Sequence, residues 1–133
     1  MTEEEACRIF AVAWNTLAAD ILIDALDDNV RYTSQTVWTD MNGKAEVGQY
    51  LRSKMVTIRS TPSAKVFAQL AETQPYPMYP NPPRPCVVLG QGSPEDLTAT
   101  VLFEVSDSCI TAIDLCIIPP PETTRRSNLF PIE

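Results

Sequence analysis

The stretch WNTLAADILIDALDDNVRYTSQTVWTDMNGKAEVGQYLRSKM, residues 14–55, decides the fold. Its apolar residues recur first at spacings of three and four, then alternate with a period of two, and finally return to helical spacing. The alternating part, residues 30–39, is rich in β-branched and aromatic side chains and therefore predicts a strand. The parts before and after it predict helices. The sequence therefore predicts a domain that combines amphipathic helices with a sheet.

Three helices are expected in the first half of the chain. Thr2 can cap the first helix together with Glu5, as a capping box, and three consecutive glutamates suit the positive end of the helix dipole. Asp20 is expected to start a short second helix over residues 21–26, and the turn residues 40–43 precede a third helix. The first apolar stripe consists of Cys7, Phe10, Trp14, Leu17 and Ile21, and the third helix has Val47, Leu51, Met55 and Ile58.

The second half of the chain alternates with a period of two and predicts strands at residues 64–73, 86–90, 97–105 and 110–118. The last two should form a hairpin and be the longest strands of the sheet. Residues 75–85 contain too many prolines to pair in a ladder and predict an extended loop. We interpret residues 1–118 as one domain and residues 119–133 as a C-terminal tail.

Composition limits the classes of partner. A chain of 133 residues is long enough for one domain with a buried core. Its net charge of −7 disfavours nucleic acid and anionic membrane as partners. The acidic N-terminus does not resemble a secretory signal, and no apolar run is long enough to span a bilayer. These features predict a cytoplasmic protein.

Cysteine and histidine usage bears on metal and redox chemistry. The four cysteines lack Cys-x-x-Cys spacing and are expected to be buried thiols. The chain has no histidine, which disfavours both structural zinc and histidine-based catalysis. We therefore expect no metal and no organic cofactor.

The order of elements resembles the nuclear transport factor 2-like (NTF2-like), or SnoaL-like, superfamily, which has a cystatin-like fold. The resemblance is carried by the helix that contains Trp14, by residues 26–32 entering the first strand, by residues 42–44 opening the long helix, and by residues 108–114. It implies an α+β cone, with the N-terminal helices packed in the concave face of a strongly curved, mostly antiparallel sheet that surrounds an apolar pocket. Together with the apolar residues on both faces of the last strands, it implies a homodimer.

Two positions depart from relatives that resemble ketosteroid isomerase. Ser34 stands at or near the place of their carboxylate general base, and residues 97–103 hold no carboxylate where they have a protonated aspartate. Both departures disfavour steroid-isomerase chemistry.

Asp114 is the candidate catalytic residue. Apolar residues on the same face of its strand predict a semi-buried carboxyl group with a raised pKa, suited to acid or base work. The alternative interpretation places Asp114 at the rim of a dimer interface. An epoxide-hydrolase-like pair of Arg31 with Asp114 is disfavoured, because the period of two puts Arg31 on the face opposite Tyr32. A Ser34 nucleophile has no histidine partner.

A second set of residues is expected to line a ligand pocket, with an aromatic wall and a few hydroxyl groups. Ordinary core packing would explain Trp14 equally well. For the proline-rich loop, both a flap over the pocket and a plain surface connector are open. The set consists of Trp14, Tyr32, Ser34, Trp38 and Tyr50.

The function predicted from these observations is binding of a small, largely apolar molecule. Acid/base chemistry of an isomerase, cyclase or hydrolase type, without a cofactor, could accompany it. The alternative is a non-catalytic dimeric interaction module.

Overall fold

The computed structural model describes residues 1–35 and 40–133. Within these ranges, helices and strands form one α+β domain, and this class agrees with the prediction. No helix in the described part is long and apolar enough to cross a membrane. The helices are α1 (Glu3–Thr16), α2 (Ala19–Ile23) and α3 (Lys44–Arg59), and the strands are β1 (Leu26–Ser34), β2 (Met41–Asn42), β3 (Val66–Glu72), β4 (Pro85–Gln91), β5 (Leu97–Val105), β6 (Ile110–Cys116) and β7 (Arg125–Arg126).

The described strands form one sheet in the order β2-β1-β6-β5-β4-β3-β7. Every pairing is antiparallel except that of β1 with β6, so the prediction of a mostly antiparallel sheet is confirmed. β5 and β6 do form the predicted hairpin. They are not the two longest described strands, because β6 has seven residues whereas β1 has nine.

Helix α1 begins as predicted and ends earlier than predicted. The Thr2 hydroxyl accepts a hydrogen bond from the Glu5 backbone at 3.0 Å, as a capping residue does. At the other end, Leu17 adopts a left-handed conformation (φ 56°) and its N–H caps the Ala13 carbonyl. The predicted stripe therefore breaks at Leu17, and Ile21, on the separate helix α2, is 43% exposed.

The first strand starts before the predicted position. Leu26 is buried and pairs with Ile110, so the acidic residues after it belong to the strand. The register shifts between Leu26 and Arg31, as in a β-bulge. The strand runs to Ser34, and the predicted residues 36–39 lie outside the described ranges.

Helix α3 follows the predicted pattern closely. Gly43 precedes it with φ 94°, a conformation that favours glycine, and this explains the Asn-Gly turn in the sequence. Val47, Leu51, Met55 and Ile58 are all buried, so the predicted apolar face is confirmed.

The main core lies between the helices and one face of the sheet, which we call the inner face. Phe10 of α1 meets Phe103 of β5 edge to face, with ring centroids 5.3 Å apart. A smaller apolar cluster of Cys86, Val88, Leu102 and Cys116 lies on the opposite, outer face. Tyr79 of the proline-rich loop packs against this cluster. The outer face is thus partly covered by the chain itself.

The C-terminal residues extend the sheet beyond β3. The backbone of Leu70 donates to Leu129 and accepts from Ser127, both at 3.0 Å. Asn15 of α1 holds this edge: its Nδ2 donates to Ala68 O at 2.8 Å and to Pro131 O at 2.9 Å, and its Oδ1 accepts from Ala68 N at 2.8 Å. One amide side chain therefore joins the first helix, the edge of β3 and the C-terminus.

Replacing Asn15 should destabilise the protein. Asn15→Ala leaves two partly buried groups of Ala68 without partners, which costs about 2 kcal/mol of the free energy of unfolding. Urea denaturation measures this quantity. Asn81→Ala, which changes an exposed asparagine of the proline-rich loop, is the control and should have almost no effect. Equal stability of the two variants would contradict the role given to Asn15.

Candidate functional site

A cavity of about 670 Å³ lies between the inner face of the sheet and helices α1 and α3. Residues of both helices and of strands β1 to β6 surround it, so residues far apart in the chain meet at one place. Its lining consists of Trp14, Tyr32, Ser34, Met41, Tyr50, Lys54, Ile58, Val66, Leu89, Gly90, Gln91, Thr98, Ala99, Leu115 and Cys116.

Local periodicity explains how the lining residues come to face the cavity. Tyr32 and Ser34 are two residues apart on β1 and therefore lie on one face of the sheet. Tyr50, Lys54 and Ile58 are four residues apart on α3 and therefore lie on one side of the helix. The cavity is where these two faces meet.

Trp14 belongs to both the core and the cavity. It is 5% exposed and packs in the main core, where its ring centroid lies 6.1 Å from that of Phe10. It also lines a second cavity of about 510 Å³, together with Ile58, Val66 and residues of the C-terminus, Phe130 among them. Trp14, Ile58 and Val66 thus form a wall shared by the two cavities.

Two tyrosines stand together on the cavity wall. The ring centroids of Tyr32 and Tyr50 are 5.4 Å apart and their planes are inclined by 52°. Burial of Tyr32, and then its electrostatic and hydrogen-bond interactions with Tyr50, raise the pKa of Tyr32 far above the usual value. Tyr32 is therefore a neutral phenol, which can take part in hydrogen bonds but cannot act as a base.

The thiol in the described cavity lining is not activated as a nucleophile. Burial raises the pKa of the Cys116 thiol to about 11, so this thiol is protonated near neutral pH. No carboxylate of the described residues lines the cavity. Over the same ranges, 1–35 and 40–133, no group of three cysteine, aspartate or glutamate side chains could hold a metal ion.

The exposed residues that line the cavity are polar, and we call the part of the wall that they form the mouth. Lys54, Gln91 and Thr98 are exposed, whereas Leu89 and Ala99, which also line the cavity, are buried. The Thr98 hydroxyl donates to Leu89 O at 3.3 Å. A molecule entering the cavity would therefore pass hydrogen-bonding groups before it meets the apolar wall.

Four residues of the predicted pocket set line this cavity, namely Trp14, Tyr32, Ser34 and Tyr50. Trp38, the fifth, lies outside the described residues. Sequence reasoning missed Lys54, although its position four residues after Tyr50 was a usable signal. It also missed the contributions of β4 and β5, for which the sequence offered no polar motif.

Asp114, the predicted catalytic residue, does not line the cavity. In the parallel pairing, Ser34 lies beside Leu115, which lines the cavity, whereas Thr33 lies beside Asp114. Strand alternation therefore turns Asp114 to the outer face, where its side chain is 29% exposed, although Cys116, at the end of the same strand, belongs to the outer cluster and also lines the cavity. There the Thr33 hydroxyl donates to Asp114 Oδ1, and Arg31 Nη2 lies 3.9 Å from the same oxygen.

The Arg31–Asp114 pair therefore exists, but on the wrong face to activate water in the cavity. Arg31 also lies 3.9 Å from a carboxylate oxygen of Glu104. This arrangement is a surface ion-pair cluster. Asp114 is partly buried, as expected, but it lies outside the cavity lining.

The proline-rich loop is also absent from the described lining. Tyr76 and Tyr79 pair through two backbone hydrogen bonds of 3.1 and 2.7 Å. At the end of the loop, Arg84 lies 3.0 Å from Glu3 and donates to Phe103 O at 2.7 Å. In this structure the loop is a surface connector over the outer face and does not form a flap over the cavity.

Comparison with known proteins identifies the fold. No family model matches the chain, and no curated protein matches it. Among solved structures, a SnoaL-like protein of unknown function from Burkholderia thailandensis is 15% identical, with a TM-score of 0.61 over 86% of this chain and 92% of that one. An NTF2-like protein of unknown function from Cytophaga hutchinsonii is 12% identical, with a TM-score of 0.58 over 90% and 94%.

A third similar structure is that of an LEH-like epoxide hydrolase from M. tuberculosis. It is 15% identical, with a TM-score of 0.57 over 85% of this chain and 76% of that one. The predicted NTF2-like, SnoaL-like cone fold is confirmed by these similarities. At such low identities they establish the fold and leave the activity open.

The buried phenol of Tyr32 should make stability depend on pH above about pH 10. The unfolded chain loses this proton near pH 10, whereas the folded chain keeps it, so the free energy of unfolding decreases as the pH rises further. Tyr32→Phe removes this contribution. Between about pH 10 and 11, the decrease should be smaller in the variant by about 1 kcal/mol.

Urea denaturation at each pH measures the difference. Tyr76→Phe, which removes a phenol of the proline-rich loop, is the matched control and should keep the wild-type profile. A Tyr32→Phe profile parallel to that of the wild type would show that Tyr32 ionises equally in both states.

Proposed function

We propose that this protein binds a small, largely apolar molecule in the cavity between α3 and the inner face of the sheet. The observation that supports the proposal is the cavity itself, which has a volume of about 670 Å³. Small-molecule sites typically have volumes of about 300–1,000 Å³ and combine an apolar wall with a few polar groups. The cavity has both properties.

The composition of the wall supports an apolar ligand. Leu89, Ile58 and Ala99 are buried residues of the main core that also line the cavity. Each Å² of such a surface that a ligand removes from water contributes about 25 cal/mol, before the cost of association. An apolar molecule that fills the cavity therefore gains affinity without a specific charge.

The polar groups favour binding over carboxylate-driven catalysis. Tyr32 is a neutral phenol and Asp114 lies on the outer face, so neither provides a base beside the ligand. A similar structure bears the name of an epoxide hydrolase, but here Arg31 and Asp114 lie outside the cavity. If acid/base chemistry accompanies binding, the phenol of Tyr32 can take part in it as a hydrogen-bond donor and not as a base.

A neutral fluorescent probe can test the proposal. N-phenylnaphthylamine emits strongly only in apolar surroundings and is small enough for the cavity. Ala99→Phe places a ring in the cavity from β5 and should weaken probe binding at least about tenfold, which corresponds to a loss of about 1.4 kcal/mol. Fluorescence titration measures the affinity.

Three further variants make this result interpretable. Leu115→Trp fills the cavity from β6 and should weaken binding in the same way. Ala45→Phe adds the same ring at an exposed position of α3 and should not change it. Asp114→Asn should leave affinity unchanged. Unaltered probe binding in both cavity-filling variants, with circular dichroism showing that they fold, would refute the proposal.

A second copy of this chain is the partner that we propose. Two exposed apolar residues support this: Ile117, 49% exposed, follows Cys116 of the outer cluster, and Met78, 66% exposed, precedes Tyr79, which packs on that cluster. Such residues beside a partly covered sheet face suit a symmetric contact.

Sedimentation velocity should show a dimer, and Ile117→Asp should shift the equilibrium towards the monomer by placing a charge in the contact. Val56→Asp changes an apolar residue that is 63% exposed on α3 and should have no effect. A wild-type protein that sediments as a monomer at high concentration would refute the homodimer.

A further inference from the structure

We infer that the ligand is an amphipathic anion, with an apolar body inside the cavity and an acidic group at its mouth, beside the ammonium group of Lys54. The inference rests on the proposed function and adds the chemical class of the ligand. Lys54 belongs to α3, is exposed, and lines the cavity one turn after Tyr50. Lysine side chains of this kind lay their methylene stem along an apolar wall and keep the charge in water.

The ammonium group of Lys54 has no acidic side chain close to it among the described residues. In the described ranges, Lys54 forms no ion pair, whereas Arg52 of the same helix lies 2.9 Å from Asp20. Arg84 likewise has Glu3 at 3.0 Å. The four residues outside the description, 36–39, carry no charged side chain and cannot neutralise Lys54 either.

Among the described residues that line the cavity, Lys54 alone is charged. The mouth's exposed residues Lys54, Gln91 and Thr98 offer an ammonium, an amide and a hydroxyl group, and no carboxylate of the described residues lines the cavity. The chain as a whole carries a net charge of −7, so the positive charge of Lys54 at the mouth is opposite in sign to the net charge of the protein. The electrostatic attraction for an anionic group therefore comes from Lys54, because the net negative charge of the protein does not attract anions.

Other ligand classes fit this arrangement less well. A cationic ligand would bring its charge close to Lys54 and find no carboxylate on the described wall. A neutral ligand would fill the apolar interior equally well but would gain nothing from the ammonium group. An acidic group at the mouth gains the charge attraction while remaining partly hydrated, so it avoids the large cost of burying an ion.

A pair of probes separates the acidic group from the apolar body. Anilinonaphthalene sulfonate has the same ring system as N-phenylnaphthylamine and adds one sulfonate, so the two differ by a single negative charge. We expect the sulfonate to bind the cavity about two- to fivefold more tightly than the neutral probe, within the range of exposed charge pairs. For each probe, only the fluorescence that is lost in Ala99→Phe is attributed to the cavity. Binding at other sites on the surface is excluded in this way.

Variants of Lys54 assign this preference to one residue. Lys54→Gln should remove the advantage of the sulfonate, measured as the ratio of the affinities of the two probes for the same variant. Lys54→Arg keeps the charge and should keep most of the advantage. Lys44→Gln is the matched control, because it removes the same charge from the same helix at a position that does not line the cavity.

The outcomes for the two proposals can be told apart. Suppose that the neutral probe binds in the cavity. If the sulfonate then binds no more tightly than the neutral probe, the inference fails while the proposed function stands. The same holds if the sulfonate binds more tightly and this advantage persists in Lys54→Gln. If neither probe gives a signal that Ala99→Phe removes, the proposed function fails. An advantage that Lys44→Gln removes to the same degree would show a general charge effect and would also overturn the inference.

Discussion

The parallel pairing of β1 with β6 is the constraint on which the site depends. These strands lie far apart in the chain, yet their register sets Ser34 beside Leu115 and Thr33 beside Asp114. Because side chains alternate, this register decides that two hydroxyl groups face the cavity and that the acid faces away from it. A shift of one residue would exchange the two faces and give a different protein.

The helices divide the inner face into a packed part and an open part. Helix α1 fills the space above β5 with Phe10, whose ring meets that of Phe103. Helix α3 presents Tyr50 and Lys54 instead, and the cavity lies between them and the sheet. The core and the cavity are therefore parts of one apolar layer, and Trp14 stands at the boundary between them.

The proline-rich loop and the C-terminal residues cover parts of the sheet that would otherwise be exposed. Tyr79 covers part of an apolar cluster, and the residues after β6 return to pair with the free edge of β3. Covering an edge in this way protects a row of backbone groups that could otherwise pair with another chain. The larger cavity lies on the other, inner face, and the ammonium group of Lys54 stands at its mouth.

The sequence by itself determined the types of the elements, the cap at Thr2, the buried face of α3 and the α+β class, because each follows from spacing along a few neighbouring residues. It also placed Tyr32 and Ser34 on one strand face. Only the tertiary structure decided that Asp114 lies outside the cavity, that β1 starts at Leu26, and that Lys54 stands at the mouth. These depend on register and packing between distant segments, which no local pattern encodes.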